Sequence, residues 1–184
     1  MGPGMPDRLD FQQLSSGLRR MGWIRFWSQL VLGTVVLGVL VFAAIGGSTV
    51  RDAARSVGLG TGISLTTLAF VVLLFSLWQS WLVVRTGRAI DSAARPSRGE
   101  TARRIKRSLL ADLIGLVLAL LGYQALAGPL FIQAASQTPG VQVDNLPITA
   151  TEIVVVLGNA QALFAHLIGL CCSLWLLQRV YRTN

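Results

Sequence analysis

Four long apolar stretches, separated by polar segments, dominate the pattern of hydrophobic and polar positions along the chain. They cover approximately residues 24–45, 62–84, 109–132 and 150–177. Crossing about 30 Å of hydrocarbon takes roughly 20 helical residues, and backbone groups in lipid must pair within their own segment. The alternation expected for a barrel strand is absent from these stretches. The pattern therefore predicts an all-α, polytopic membrane protein whose four transmembrane helices form a bundle.

The composition favours a membrane environment over a soluble domain. Hydrophobic residues make up 53% of the 184 positions and charged residues 13%, with a mean hydropathy of +0.61. Soluble domains carry charge on about a quarter of their residues. The net charge of +8 could indicate a nucleic-acid partner, but the basic residues flank the apolar stretches. We therefore expect membrane lipids around the chain and no nucleic-acid partner.

The basic residues also predict how the chain is oriented in the membrane. Fourteen of the 16 Arg and Lys residues lie before or at the start of the first stretch, between the second and third, or after the fourth. Arg51 and Arg55 are the two exceptions. By the positive-inside rule, both termini face the cytoplasm, or the stroma in a plastid. Five tryptophans fall at this same predicted interface: Trp23, Trp27, Trp78, Trp81 and Trp175.

Three polar segments at this interface complete the predicted domain organisation. They are a cytoplasmic N-terminal segment (1–23), a basic loop (85–107) and a C-terminal tail (178–184), around a transmembrane domain of residues 24–177. In the first segment, apolar residues at helical spacing predict a separate interfacial helix: Phe11, Leu14, Leu18 and Met21. In the loop, Ser97 and Glu100 form a capping box, from which a helix could continue into the third span. Both pieces could dock a partner or lipid, or serve only as anchors.

The fourth stretch carries the most informative polar residues. Four of them recur every seven positions: Glu152, Asn159, His166 and Ser173. Seven residues drift only about 20° around a helix, so these side chains form a polar seam that we expect to face the bundle interior or a second subunit. Small residues beside the seam permit close helix packing: Gly158, Ala162, Ala165 and Gly169. The third stretch offers a similar face with Asp112, Gly115, Ala119 and Gly122, followed by Gln124.

Several interpretations of the seam stay open at this point. Asn159 and His166 could hydrogen-bond neighbouring helices, or the seam could line a transport path for an ion or proton. His166 could instead be an axial ligand of chlorophyll or haem, or could bind a metal ion together with Glu152. Asp112 fits an interfacial salt bridge or a deeper functional charge, and Gln124 lies deep enough to reach the seam.

Motifs that would indicate an enzyme are missing from the sequence. There is no Walker motif, no GxSxG elbow and no CxxC pair, and the chain has one histidine. We therefore predict no enzymatic activity.

Several segments resemble a family of four-span membrane proteins from cyanobacteria and plastids. They are GWIRFWSQLVLG at 22–33, Pro-Ser-Arg at 96–98, the run from Asn159 to His166, and SLWLL at 173–177. The plastid member is the inner-envelope protein described both as a subunit of the import translocon (Tic) and as an iron permease. The N-terminal segment lacks the Ser-rich, acid-poor pattern of a transit sequence, which favours a cyanobacterial plasma or thylakoid membrane.

The resemblance implies two alternative functions. The first is a small permease or transport component for iron or another metal ion, which acts as a homo-oligomer or as a subunit of a larger membrane complex. The second is a non-transporting scaffold or assembly factor for an import translocon or a photosystem. Because iron(II) sites favour His and carboxylate ligands, and few lie near the spans, an iron site would need residues from more than one subunit.

Overall fold

The computed structural model describes residues 6–45, 59–90, 97–136 and 150–182, and these ranges form four long helices. The helices are α1 (Pro6–Ile45), α2 (Gly60–Ile90), α3 (Arg98–Ser136) and α4 (Ala150–Arg182). Each is long and apolar enough to cross a membrane, so the predicted all-α, multi-pass fold is confirmed. Parts of the predicted loops and tail lie outside the described residues: 46–58, 91–96, 137–149 and 183–184.

The helices form a ring in which each contacts its neighbours in chain order. α1 packs on α2, α2 on α3, α3 on α4, and α4 returns to α1, while α2 and α4 also approach each other across the centre. The Ser15 hydroxyl donates to the Gly87 carbonyl at 2.9 Å, so α1 begins beside the end of α2. Leu18 of α1 and Val180 of α4 belong to the same buried cluster, so both ends of the described chain lie at one end of the bundle.

This end, called the basic end below, carries exposed cationic side chains from three helices. They are Arg19, Arg20, Arg85, Arg88, Arg103, Lys106 and Arg107. Two arginines at this end stack on tryptophan: Arg85 lies 5.6 Å from the Trp81 ring and Arg179 lies 5.3 Å from the Trp175 ring. Amphipathic aromatic rings of this kind prefer the boundary between lipid and water.

Interior positions recur at alternating three- and four-residue steps. On α2 the buried series is Gly62, Thr66, Ala69, Leu73, Ser76, Ser80, Val83, Gly87 and Ile90. A mean period of 3.5 residues is the one at which helices pack knobs into holes with a left-handed wrap. The seven-residue spacing of the predicted seam on α4 is therefore one stripe of a heptad pattern that the whole bundle shares.

Three apolar clusters fill the interior along the bundle axis. The first lies at the basic end and contains Leu18, Val83, Ile90, Ala102, Ile105, Leu176 and Val180. The middle one contains Val36, Ala69, Ala119 and Ala162, and the third contains Leu59, Leu126 and Val155. Because three of the four residues in the middle cluster are alanines, the helix backbones approach closely there.

The N-terminal segment does not form a separate interfacial helix, so that prediction is corrected. α1 is continuous over 40 residues, or about 60 Å, twice the hydrocarbon thickness. Leu18 is completely buried in the first apolar cluster. An amphipathic stripe has the same spacing whether its apolar face meets lipid or other helices, so the sequence did not distinguish these cases.

The start of α3 agrees with the predicted capping box. The Glu100 backbone N–H donates to the Ser97 hydroxyl at 3.1 Å, which satisfies one of the free amides at a helix start. From there α3 continues without interruption through the basic residues and into the third span. The segment after Ser97 is therefore the first part of a transmembrane helix and not a separate interfacial piece.

Candidate functional site

Eight polar side chains, two from each helix, meet in the interior between the first and middle apolar clusters. This charged cluster consists of Arg25, Gln29, Ser76, Ser80, Ser108, Asp112, His166 and Ser173. Each of them exposes 1% of its surface or less. Charged side chains are almost never buried this completely unless they are paired, so the contacts among these residues decide what the cluster can do.

An ion pair between α1 and α3 lies at the centre of the cluster. Nη2 of Arg25 is 2.8 Å from Oδ2 of Asp112. The same guanidinium donates to Ser76 at 2.7 Å and to Ser173 at 2.9 Å, and also to Ser108. Arg25 is therefore held by side chains from all three other helices, which compensates part of the cost of burying a cation.

The hydroxyl of Ser76 connects three members of the cluster. It donates its proton to Oδ1 of Asp112 at 2.5 Å and accepts hydrogen bonds from Arg25 and from Gln29, the latter at 2.9 Å. A serine hydroxyl has one donor and two acceptor positions, so all of its capacity is used. Gln29 also donates to Oδ1 of Asp112 at 3.1 Å and accepts from Ser80 at 3.0 Å.

The imidazole of His166 packs against the carboxylate from the other side. Its Nε2 is 3.1 Å from the carbonyl oxygen of Ala69, and its Nδ1 is 3.6 Å from Oδ1 of Asp112. Two glycines make room for this arrangement. A Cβ atom on Gly115 would overlap the His166 ring, and one on Gly169 would come within 2.5 Å of both Asp112 and Gln29.

Asn159 forms a second, smaller group of polar contacts, deeper in the bundle. Its Nδ2 donates to the Ala119 carbonyl at 2.9 Å, and its Oδ1 accepts from the Thr66 hydroxyl at 2.9 Å. Thr66 and Ala119 belong to α2 and α3, so Asn159 links α4 to two other helices. This geometry is that of an interhelical hydrogen bond.

Neighbouring threonines on α2 provide a matched test of this link. Thr66→Val keeps the shape but leaves Oδ1 of Asn159 without its donor, so we expect a loss of about 0.6–1.7 kcal/mol in the free energy of unfolding. Thr67 is exposed and bonds the Ile63 carbonyl of its own helix, so Thr67→Val is expected to cost less than about 0.5 kcal/mol. Denaturant titration of both variants in detergent checks the difference; equal losses would contradict it.

The structure buries the whole predicted seam but does not gather it into one site. Asn159, His166 and Ser173 are completely buried and Glu152 is 8% exposed. His166 and Ser173 belong to the charged cluster, whereas Glu152 lies 14 residues, or about 21 Å, from His166 along the same helix. A single ion cannot bridge that distance.

The predicted metal and cofactor ligation by His166 is therefore corrected. Among the residues that the structure describes, no three His, Cys, Asp or Glu side chains lie together as metal ligands require. Both ring nitrogens of His166 face protein oxygens, and the ring is completely buried against Gly115. A flat macrocycle such as haem or chlorophyll needs an open position on one nitrogen, and this packing offers none.

Two predictions about α3 also need correction. Asp112 pairs with an arginine, but the pair is buried in the interior instead of lying at the interface. Gln124 is exposed and does not reach the seam. It stands two residues beyond Gly122, which faces Asn159 on the interior side, and two residues turn a helix by about 200°.

The small residues predicted to permit helix packing lie in the interior. Gly115, Gly122, Gly158 and Gly169 face side chains of neighbouring helices, as do the buried alanines: Ala119, Ala162 and Ala165. A Cβ on Gly158, for example, would come within 2.7 Å of Val39 on α1. Because these glycines and alanines have small or no side chains, α4 can approach α1 and α3 closely.

Five members of the charged cluster were not predicted as site residues: Arg25, Gln29, Ser76, Ser80 and Ser108. Arg25 was counted among the basic residues of the N-terminal segment, which the positive-inside rule places on the cytoplasmic side. A signal for its burial exists in the sequence. Leu18, Arg25 and Val36 lie on one heptad face of α1, together with Gln29, and all four are buried.

Comparison with known proteins places this bundle in a family. A family model described as "Protein of unknown function (DUF3611)" matches residues 8–181. The chain belongs to the DUF3611 family. This member is also 31% identical over 179 residues to the Arabidopsis thaliana protein TIC 21, chloroplastic. The resemblance stated from the sequence is thereby confirmed.

The match to TIC 21 covers most of one chain and part of the other. It includes 94% of this DUF3611 chain and 60% of TIC 21. No solved structure matches the chain. The comparisons, together with the four apolar helices, establish an integral, multi-pass membrane protein.

Proposed function

We propose that this DUF3611 protein is a membrane-embedded transport component, a small permease that works as a homo-oligomer or within a larger membrane complex. The observation that supports it is the burial of Arg25, Asp112 and His166 at one level between all four helices. Ionisable side chains inside transmembrane bundles are costly, and they commonly mark ion or substrate pathways. A bundle that served only as an anchor would need no such groups.

The packing between α1 and α2 leaves an apolar groove that reaches the cluster from the lipid-facing side of the bundle. A cavity of about 130 Å³ opens between these helices, and Gln29 of the charged cluster forms part of its lining beside Gly33, Phe70 and Leu73. The interior is otherwise closely packed at the middle apolar cluster. Transport would therefore require α1 to move relative to its neighbours, since packed helices switch between discrete arrangements.

The orientation and location complete the proposal. The basic end faces the cytoplasm of a cyanobacterium, or the stroma of a plastid, because the positive-inside rule and the tryptophan positions agree. The host is a plasma or thylakoid membrane, and the chain carries out no enzymatic reaction.

Iron, or another metal ion, is the substrate suggested by the resemblance. Because Arg25 already pairs with Asp112, a metal ion would have to displace this cation or use residues of a second subunit.

A scaffold function is the second candidate, and the basic end supports it. α1 extends well beyond the hydrocarbon thickness and packs there on the other helices through Leu18. The exposed basic side chains of this extension, including Arg103 and Arg107, form a surface that an acidic membrane-protein partner could bind. Partners of this kind would be an import translocon or a photosystem under assembly.

Flux through the purified protein in lipid vesicles separates the two candidates. We expect uptake of iron(II), or of manganese(II) as a second divalent metal, above that of protein-free vesicles. His166→Gln should reduce it to that background, because it removes an ionisable group of the cluster, whereas Thr67→Val on the lipid-facing side of α2 should leave it unchanged. No flux from folded wild-type protein, with stoichiometric co-purification of translocon or photosystem subunits, would contradict transport and support the scaffold.

A further inference from the structure

The tautomer of His166 is fixed by its contact with α2. Nε2 lies 3.1 Å from the carbonyl oxygen of Ala69. A carbonyl oxygen can only accept a hydrogen bond, so Nε2 carries the ring proton and donates it. In the neutral ring, Nδ1 is then an unprotonated acceptor.

Nδ1 faces a second acceptor instead of a donor. Oδ1 of Asp112 is 3.6 Å away, and within the described part of the chain Nδ1 has no hydrogen-bond partner. Both side chains are completely buried. Buried polar atoms are normally satisfied, and an acceptor left without a donor is costly. One proton between these two atoms would convert the contact into a charge-assisted hydrogen bond.

We propose that the His166–Asp112 pair is a proton-binding site and that H⁺ is the ion coupled to transport. The coupling rests on the transport function proposed above, whereas the proton site does not. The proton comes from hydronium in solution and binds Nδ1, which turns the neutral imidazole into imidazolium and releases water. Asp112 remains a carboxylate throughout. Release to solution on the other side restores the neutral ring, so the protein undergoes no net change in one cycle.

The charged and titratable neighbours of the pair come from three helices. Arg25 on α1 holds Oδ2 of Asp112, and Asp112 itself comes from α3. On α4 the nearest titratable side chain towards Arg25 is the buried thiol of Cys172. α2 presents the Ala69 carbonyl and Ser76 at this level, and within its described range it has titratable side chains only at the basic end.

Binding of the proton changes the balance of charge in the cluster. Arg25 and Asp112 neutralise each other, so the cluster carries no net charge while His166 is neutral, and a charge of +1 once it is protonated. Two cations then share one carboxylate inside the bundle, which is unfavourable unless the surroundings relax. The relaxation that the geometry allows is a weaker hold of Asp112 on Arg25. Protonation therefore loosens the contact between α1 and α3.

The single histidine makes this site directly observable. The full chain, purified in lipid nanodiscs with an affinity tag that contains no histidine and labelled with ¹⁵N-histidine, gives the spectrum of one ring. The spectrum is recorded while the pH is lowered, and we expect Nε2 to carry the proton of the neutral ring and Nδ1 to be the atom that gains a proton. In Asp112→Asn the positive Arg25 stays near the ring without its counter-ion, so a proton at Nδ1 loses the carboxylate that would accept from it. Thr67→Val, on the exposed side of α2, should behave as the wild type.

Each outcome decides one part of the proposal. A proton on Nδ1 instead of Nε2 in the neutral ring, or an Nδ1 that never becomes protonated while the helical fold persists, would overturn the proton site. The wild-type spectrum suffices for this, so the conclusion does not depend on whether Asp112→Asn folds. Protonation of Nδ1 in a protein that shows no flux in vesicles would keep the site and remove transport. Flux that is unaffected by a pH gradient would keep transport and overturn the coupling to H⁺.

Discussion

Replacing Asp112 by asparagine is expected to reduce the free energy of unfolding by about 3–5 kcal/mol, the range typical of removing one partner from a buried ion pair. The substitution leaves Arg25, which is 1% exposed, without its counter-ion. It also replaces a carboxylate oxygen that accepts from Ser76 and Gln29. Unfolding by a denaturing detergent, followed by helical circular dichroism, measures the loss.

A second acid-to-amide substitution on the same helix is the matched control. Glu100 pairs with Arg104 at 3.6 Å, and both side chains are partly exposed. A surface pair four residues apart on a helix contributes about 0.3–0.5 kcal/mol, so Glu100→Gln should be close to neutral. Losses of similar size for Asp112→Asn and Glu100→Gln would mean that Asp112 is not buried in an ion pair.

Replacing Gly115 by alanine is expected to cost about 1–3 kcal/mol, although alanine is the better helix former. The added methyl group would overlap the imidazole of His166. The ring is bonded to the Ala69 carbonyl and packed beside Asp112, so it cannot turn aside without losing those contacts. α3 and α4 would have to separate instead. Unfolding in detergent again gives the size of the effect.

Gly128 lies on the same helix and provides the control for this second prediction. A Cβ at Gly128 would meet nothing within 4 Å. Gly128→Ala should therefore be neutral, or stabilise by up to about 1 kcal/mol through its helix propensity. If Gly115→Ala were as harmless as Gly128→Ala, the close approach of α3 to His166 would be wrong.

The four helices and their membrane environment could be predicted from sequence because hydropathy is a property of each segment by itself. About twenty apolar residues in a row meet the length of the hydrocarbon layer without reference to any partner. The heptad spacing of Asn159, His166 and Ser173 similarly predicted a shared face, and all three are buried. Such regularities need knowledge of one helix only.

The charged cluster could be predicted only in part because it depends on how each helix is rotated against the others. Arg25 stands at the same depth whether it points to the interface or into the bundle, and the distribution of basic residues along the chain favoured the first interpretation. Its partner Asp112 lies 87 positions away on another helix. The prediction that Gln124 reaches the seam was wrong for the same reason. Its depth along α3 was suitable, but it lies on the exposed side of the helix.

The metal hypothesis shows a further limit of reasoning along one helix. Glu152 and His166 share a face of α4, but sharing a face does not bring side chains within bonding distance when four helical turns separate them. The contacts that do form at His166 come from the Ala69 backbone on α2 and from Asp112 on α3. Every residue has a backbone carbonyl, so the sequence does not indicate which carbonyl on another helix will accept a hydrogen bond from His166.

The most direct test of the account is the coupling energy between positions 25 and 112 in a double-mutant cycle. Arg25→Met and Asp112→Leu each leave one buried charge without its partner, whereas the double variant leaves none, and Met and Leu retain apolar volume. We expect the double variant to be more stable than the sum of the single losses predicts, with a coupling of about 2–3 kcal/mol. Single losses that add to within about 0.5 kcal/mol would show that Arg25 and Asp112 do not meet inside the bundle.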